Sequence, residues 1–254
     1  MSYQVTIASI SHPGLAREDN EDSFLDTQGP LAGTAKRNDH CHVDSSWLVA
    51  VADGMGGANA GEVASRIAVE SLHKCTVMQS ADIENVLLMI HHEILKSGTD
   101  NTQWHGMGAA IAGIGAASDG LYVFNIGDCS VFREVEGFLQ LLTVDDSIAA
   151  MHAMPGTVPD GPRLPGQNRL TQALGGSVSD RSVQPHVSKV RLMSLTRFLL
   201  CTDGLTDMVS LDNMEALTAN GSPTDAVEAL LSAALAAGGK DNITVMVMDL
   251  LPII

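Results

Sequence analysis

The chain has 254 residues, 45% apolar and 17% charged, with 24 glycines and 4% aromatics, which excludes a disordered polymer and predicts an aliphatic core in one or two domains. A formal net charge of −16 with only 14 scattered Lys and Arg argues against a nucleic-acid partner, because phosphate neutralisation takes clustered cations. No apolar run reaches the roughly 18 residues of a membrane span and Met1 to Ile10 lacks the basic end of a signal peptide, so no membrane association and a cytoplasmic location are expected.

In chain order, Val5 and Ile7 alternate with polar residues as a half-buried strand, and Ser46 to Ala52 is a short apolar run ending at Asp53. Thr27 to Ser45, with Gly-Pro and mixed polar residues including His40, Cys41 and His42, is expected to be a long hairpin loop. Gly61 to Cys75 suits a helix. Ile83, Leu87, Ile90 and Ile94 repeat at spacings of four, three and four, predicting a second helix that Asp82 caps and Gly98 ends.

Strand patterns follow at Gly108 to Ala117, Leu121 to Ile126, Ser130 to Val135 and Phe138 to Leu142, with Asp119-Gly120 and Glu136-Gly137 as turns. Met154 to Gln167 carries four prolines and is expected to be a loop bordering a site. Strands return near Val183 to Leu192 and Arg197 to Thr202. Helices are predicted over Leu205 to Ala219 and Pro223 to Ala237, and a last strand over Ile243 to Leu250. This order is not the regular alternation of a doubly wound sheet. Cys41, Cys75, Cys129 and Cys201 form no C-x-x-C pair and are expected as reduced thiols.

Three apolar strands carry an aspartate at one end: Asp53 before Gly54, Asp203 before Gly204, and Asp241 before Asn242. An Asp-Gly pair alone marks a turn. Three such strand-end aspartates, with Arg17, Glu21 and Asp22, point to a shared site, because hard divalent cations take oxygen ligands and a glycine lets a backbone carbonyl approach the ion. Massed carboxylates stay ionised only if cations compensate them. Two such ions would supply a bridging water at lowered pKa for in-line attack on phosphorus, and a guanidinium holds two phosphate oxygens as lysine cannot.

These residues resemble the metal-dependent protein phosphatases called PPM or type 2C, in their compact bacterial form. The resemblance covers nearly the whole chain, through Gly14-Leu-Ala-Arg17-Glu-Asp-Asn20-Glu-Asp22-Ser23, Val51-Ala-Asp53-Gly-Met-Gly-Gly57, Gly61-Glu-Val-Ala64, Gly106-Met-Gly108, Asn125-Ile-Gly-Asp128, Leu142-Thr-Val-Asp145, Arg169-Leu-Thr-Gln-Ala-Leu-Gly175, Leu200-Cys-Thr-Asp203-Gly-Leu-Thr-Asp207 and Asp241-Asn-Ile-Thr244. It implies an α+β protein, a four-layer α/β/β/α sandwich of two packed antiparallel sheets flanked by helices. One catalytic domain over 1–254 is expected, with a flap near 146–168.

The resemblance also implies hydrolysis of phosphoserine and phosphothreonine phosphate monoesters with two Mn²⁺ or Mg²⁺ ions. Asp53 resembles the carboxylate that bridges them and is shared with catalysis, and the Gly54 carbonyl resembles a ligand. Asp203 and Asp241 would ligate the other ion, Arg17 would bind phosphate, and Glu21 and Asp22 would reach the metals directly or through water. Asp128 and Asp207 resemble residues that bind a weaker third metal. The expected partner is a phosphorylated protein, a kinase target or the kinase itself, and a monomer is expected.

Three positions depart from the family pattern: Cys129-Ser130 replaces Ser-Arg, Asp146 stands where a histidine commonly follows, and Met55 stands where some members carry a histidine acid. The alternative is a catalytically silent regulatory binding module of the same fold, whose signature would be a lost metal carboxylate. All the expected carboxylates are present.

Overall fold

The computed structural model describes residues 2–43, 46–56, 60–75, 79–152, 166–176, 182–192 and 194–253, without the side chain of Ser80. One antiparallel sheet runs in the order β4 (Ala35–Val43), β1 (Ser2–His12), β13 (Ile243–Ile253), β12 (Thr196–Cys201), β8 (Ser130–Val135) and β9 (Phe138–Leu141). The other runs β11 (His186–Val190), β7 (Gly120–Ile126), β6 (Gly108–Ala117), β5 (Trp47–Met55), β2 (Ser23–Asp26) and β3 (Gly29–Ala32), with the two-residue β10 (Leu174–Gly175) also on β6. Helices α1 (Ala60–Lys74) and α2 (Ser80–Asp100) cover the second sheet. Helices α4 (Asp203–Thr206), α5 (Leu211–Thr218) and α6 (Pro223–Ala236) cover the first, and α3 (Ile148–His152) follows β9.

Strand parity builds the four layers. Successive side chains point to opposite faces, so a strand between a sheet and a helix layer must be apolar on both. Val49 and Val51 enter the core between the sheets, while Ala50 and Ala52 face α1 and α2. Met246 and Met248 likewise point between the sheets, and Val245 and Val247 toward α6. The sandwich expected from the resemblance is the observed architecture.

The loop expected over Thr27 to Ser45 is instead largely strand: β3 pairs with β2, and β4 pairs with β1 along Tyr3↔Val43 to Ser11↔Ala35. Strand β4 is an edge strand whose side chains alternate between exposed and half-buried, so no apolar run betrays it. Helix α2 also runs past Gly98 to Asp100. Gly98 serves close approach, since a Cβ there would lie 2.9 Å from the Trp104 carbonyl oxygen. Asp82 caps this helix by reaching back to the amide of Gln79, at 3.0 Å. The single helix expected from Leu205 to Ala219 is two, α4 and α5. Of the expected flap, residues 153–165 lie outside the described residues, with α3 on one side and 166–168 on the other.

His91 on α2 is 4% exposed, and its Nδ1 accepts the Gly175 amide at 3.0 Å. Burial first, then neighbouring His92, pushes its pKa below the ordinary imidazole value, while the Ala173 backbone acts the other way. The unfolded chain therefore takes up a proton near pH 6.5 while the folded one does not, so stability falls as pH drops below about 6.5. His91→Gln, which keeps an acceptor and cannot titrate, is expected to lose less stability than the parent between pH 7 and 5.5. Urea unfolding at the two pH values checks this, and equal losses would refute it.

Candidate active site

At one end of the sandwich, the rows of side chains that point between the sheets change from apolar to polar. On β1, Val5 and Ile7 give way to Ser9 and Ser11, and on β5, Val49 and Val51 give way to Asp53. On β2, Phe24 is preceded by Asp22. On β12, Phe198 and Leu200 lead to Thr202, and on β13, Met248 and Met246 lead back to Thr244. Because β12 and β13 are antiparallel, with Cys201 opposite Val245, Asp203 after one strand and Asp241 before the other emerge at the same edge. The β7–β8 turn adds Asp128 there.

Asp22 ties the two sheets together. Its Oδ2 accepts the hydroxyls of Thr202 at 2.9 Å and Thr244 at 2.7 Å, while its Oδ1 is buried without a hydrogen-bond partner. Thr244 Oγ1 in turn accepts from Ser11, and Asn20 donates to Ser11 Oγ. Asn242 fastens the loop after β1, its Nδ2 donating to the carbonyls of Pro13 and Asp19 at 3.0 and 2.9 Å and its Oδ1 accepting the Glu21 amide at 2.8 Å. Arg17 is thereby held at the rim, where its guanidinium meets Asp241 at 2.7 Å. Gly54 lies where β5, α1 and this loop converge: a Cβ would meet the carbonyl oxygens of Gly61 at 2.1 Å and Glu21 at 2.6 Å.

These elements enclose a cleft of about 480 Å³ lined by Arg17, Glu21, Asp53, Gly54, Asp128, Asp203 and Asp241. Asp22 lies behind it, fully buried. Asp207 lines a smaller adjoining cavity of about 170 Å³ that shares Asp203 and Asp241 with the cleft. The structure thus brings together residues drawn from positions 17 to 241, with Asp207 set to one side.

The carboxylates raise one another. Burial, then Asp22, Asp203, Asp128 and Asp241, lifts Asp53 well above the carboxylate range. Burial lifts Asp22 to about 7 against the opposing hydrogen bonds of Thr244 and Thr202. Burial also raises Glu21, whereas the Gly61 backbone and Arg17 act to lower it. The Cys129 thiol beside Asp128 is buried and pushed far up, by burial first and then by Asp53 and Asp128, so it stays a neutral thiol. Among the described residues no three His, Cys, Asp or Glu side chains stand at coordinating distance from one point, and Asp241 is turned onto Arg17.

Sequence reasoning missed the scaffold. Thr202, Thr244 and Asn242 occur in motifs already noted, yet their work depends on pairing across 180 to 229 residues. It also gave no role to Arg169, a second guanidinium lining the cleft, which nothing local distinguishes from an ordinary surface arginine.

A family model described as protein phosphatase 2C matches residues 33–237. The serine/threonine phosphatase stp of Listeria monocytogenes is 29% identical over 218 residues, covering 81% of this chain and 85% of that protein. Serine/threonine protein phosphatase PstP of Mycobacterium tuberculosis is 28% identical over 249 residues, 95% of this chain and 44% of that longer protein. The crystal structure of Mycobacterium tuberculosis PstP/Ppp superposes with a TM-score of 0.76 at 26% identity, covering 97% of this chain and 98% of that one. The PstP catalytic domain in complex with two manganese ions gives a TM-score of 0.75 at 26% identity, covering 98% and 100%.

Proposed function

Because this chain belongs to the protein phosphatase 2C family, we propose that it is a metal-dependent serine/threonine phosphatase whose carboxylate cleft works with two Mn²⁺ or Mg²⁺ ions. The observation that carries this is the convergence of Asp53, Asp203, Asp241 and Asp128 with Arg17 in one cleft. The residues fit such ions. Asp53 is fully buried among like charges, Asp22 Oδ1 has no hydrogen-bond partner, and Gly54 keeps its backbone open where a side chain could not fit. The manganese-bound catalytic domain of PstP, similar along its whole length, supports the same assignment.

Asp53, the Gly54 carbonyl, Asp203 and Asp241 would hold the two ions, with Glu21 and Asp22 bracing them directly or through water. Asp128 and Asp207 are assigned to a weaker third ion. When bound, such ions would supply a water of lowered pKa as the nucleophile for phosphorus near neutral pH. No side-chain nucleophile is needed. Asp22, held by Thr202 and Thr244, keeps the two sheets in register at the floor. Arg17 exchanges its partner Asp241 for the substrate phosphate. That ion pair is about half exposed, 55% and 40% for the two side chains, so releasing it costs little.

A phosphorylated protein is the substrate, and we assign it to a kinase target or the kinase itself. We also propose that the chain acts as a monomer. Among the described residues no helix is long and apolar enough to cross a membrane, consistent with the proposed cytoplasmic location. No observation favours the silent binding module, since every carboxylate it would have lost is in place.

The test is hydrolysis of a phosphothreonine peptide after chelation and on restoring Mn²⁺. Activity should return with the metal. Arg17→Ala should raise KM by roughly 10- to 100-fold, corresponding to about 1.5–3 kcal/mol for a hydrogen bond to a charged group. A folded, Mn²⁺-loaded protein that stays silent would overturn the function, and an unchanged KM would remove Arg17 from phosphate binding.

A further inference from the structure

Asp146, one of the positions at which this chain departs from its family, is 9% exposed and tied on every side. Its Oδ2 accepts the Gly127 amide at 2.9 Å and Gln172 Nε2 at 2.8 Å, and its Oδ1 accepts His186 Nε2 at 2.9 Å. A carboxylate cannot donate, so the ring nitrogen carries the proton in that bond. Its backbone is engaged too: the amide donates to the Gly127 carbonyl at 3.1 Å, and the carbonyl accepts the Thr171 amide at 2.7 Å and hydroxyl at 2.8 Å. Gln172 is in turn locked by Gln184, whose amide it accepts at 3.0 Å and to whose carbonyl it donates at 3.1 Å.

These bonds tie the Gly127 turn to the 168–176 segment that lines the cleft. Gly127 belongs to the β7–β8 turn that delivers Asp128, and it needs its positive φ of 97° there. Residues 168–176 also line the cleft, through Arg169, Gln172 and Gly175 among others. His186, on β11 opposite Asn125 of β7, anchors the whole arrangement to the sheet. We propose that Asp146 and His186 are a positioning pair that sets the Asp128 turn against the 168–176 wall, β11 supplying the imidazole that this chain lacks at position 146. Without the imidazole, the Oδ1 of a nearly buried carboxylate loses a donor, and the carboxylate is free to turn away from Gly127 and Gln172.

His186 is the residue to change, because its side chain is 32% exposed and its removal leaves the core intact. His186→Leu keeps bulk and removes the donor, and His186→Gln restores an N–H. Amide hydrogen exchange of the whole chain reports the geometry, and kcat/KM on a phosphothreonine peptide with Mn²⁺ reports its use. In His186→Leu we expect exchange at Gly127 and Thr171 at least about tenfold faster, with β5 unchanged, and kcat/KM down about tenfold. His186→Gln should return both toward the parent values.

Unchanged protection at Gly127, deprotection that spreads equally through β5, or failure of Gln to rescue would overturn the pairing. The kinetic arm rests on the phosphatase assignment and the exchange arm does not. An inactive parent protein would therefore defeat that assignment while exchange still decided the pair.

Discussion

Asp53→Asn is expected to lower hydrolysis of a phosphothreonine peptide by about 1,000-fold or more, while leaving the chelated protein at least as stable as its parent. Asp53 continues the inward row of Val49 and Val51, and its carboxylate is buried against Asp22, Asp203, Asp128 and Asp241. An amide of the same size keeps the packing and removes one charge from that crowd, which relieves repulsion. It also removes a carboxylate proposed to hold the ions, and several kcal/mol of charge stabilisation at the reacting phosphate corresponds to about three decades in rate.

Thermal melting separates the two effects. Saturating Mn²⁺ at about 100 times its Kd stabilises by about 2.7 kcal/mol, a rise of about 5–10 °C in Tm for a chain of this size. That rise should vanish in Asp53→Asn. A variant that keeps both turnover and the metal-induced rise would remove Asp53 from the centre.

Gly54→Ala should damage both the fold at the site and its activity. The added carbon would stand 2.1 Å from the Gly61 carbonyl oxygen and 2.6 Å from that of Glu21, and both are backbone atoms that no rotamer change can move aside. β5 must then shift from the start of α1, at a cost on the order of 3 kcal/mol or about 6–12 °C in Tm. The carbonyl assigned to a metal moves with it, so activity should fall even at temperatures where the variant is folded. A melting temperature within a degree or two of the parent would show that the junction yields more easily than its geometry indicates.

The strands bounded by clear turns were legible because their signal is local. Ser130–Val135 carries the predicted limits, its end set by the Glu136-Gly137 turn, and Glu136 adopts the positive φ of 54° that such a turn requires. The start of α6 was legible for the same reason: Pro223 follows Ser222, which forms a capping box with Asp225. Strand β4 was not. Its pairing depends on β1, more than 20 residues earlier, and its polar outer face mimics a loop.

By itself the sequence determined the ingredients of the site: aspartates at strand ends, a glycine after two of them, an arginine upstream beside Glu21 and Asp22, and motifs whose order resembles one family. Those properties reside in single residues and short spacings, which survive without coordinates. Only the tertiary structure decided that Asp22 bridges the sheets through Thr202 and Thr244, that Asn242 holds the loop bearing Arg17, and that Asp146 meets a histidine 40 residues away. Each of these depends on the register and stacking of two sheets. A shift of one residue in either register would turn the same side chains to the opposite face.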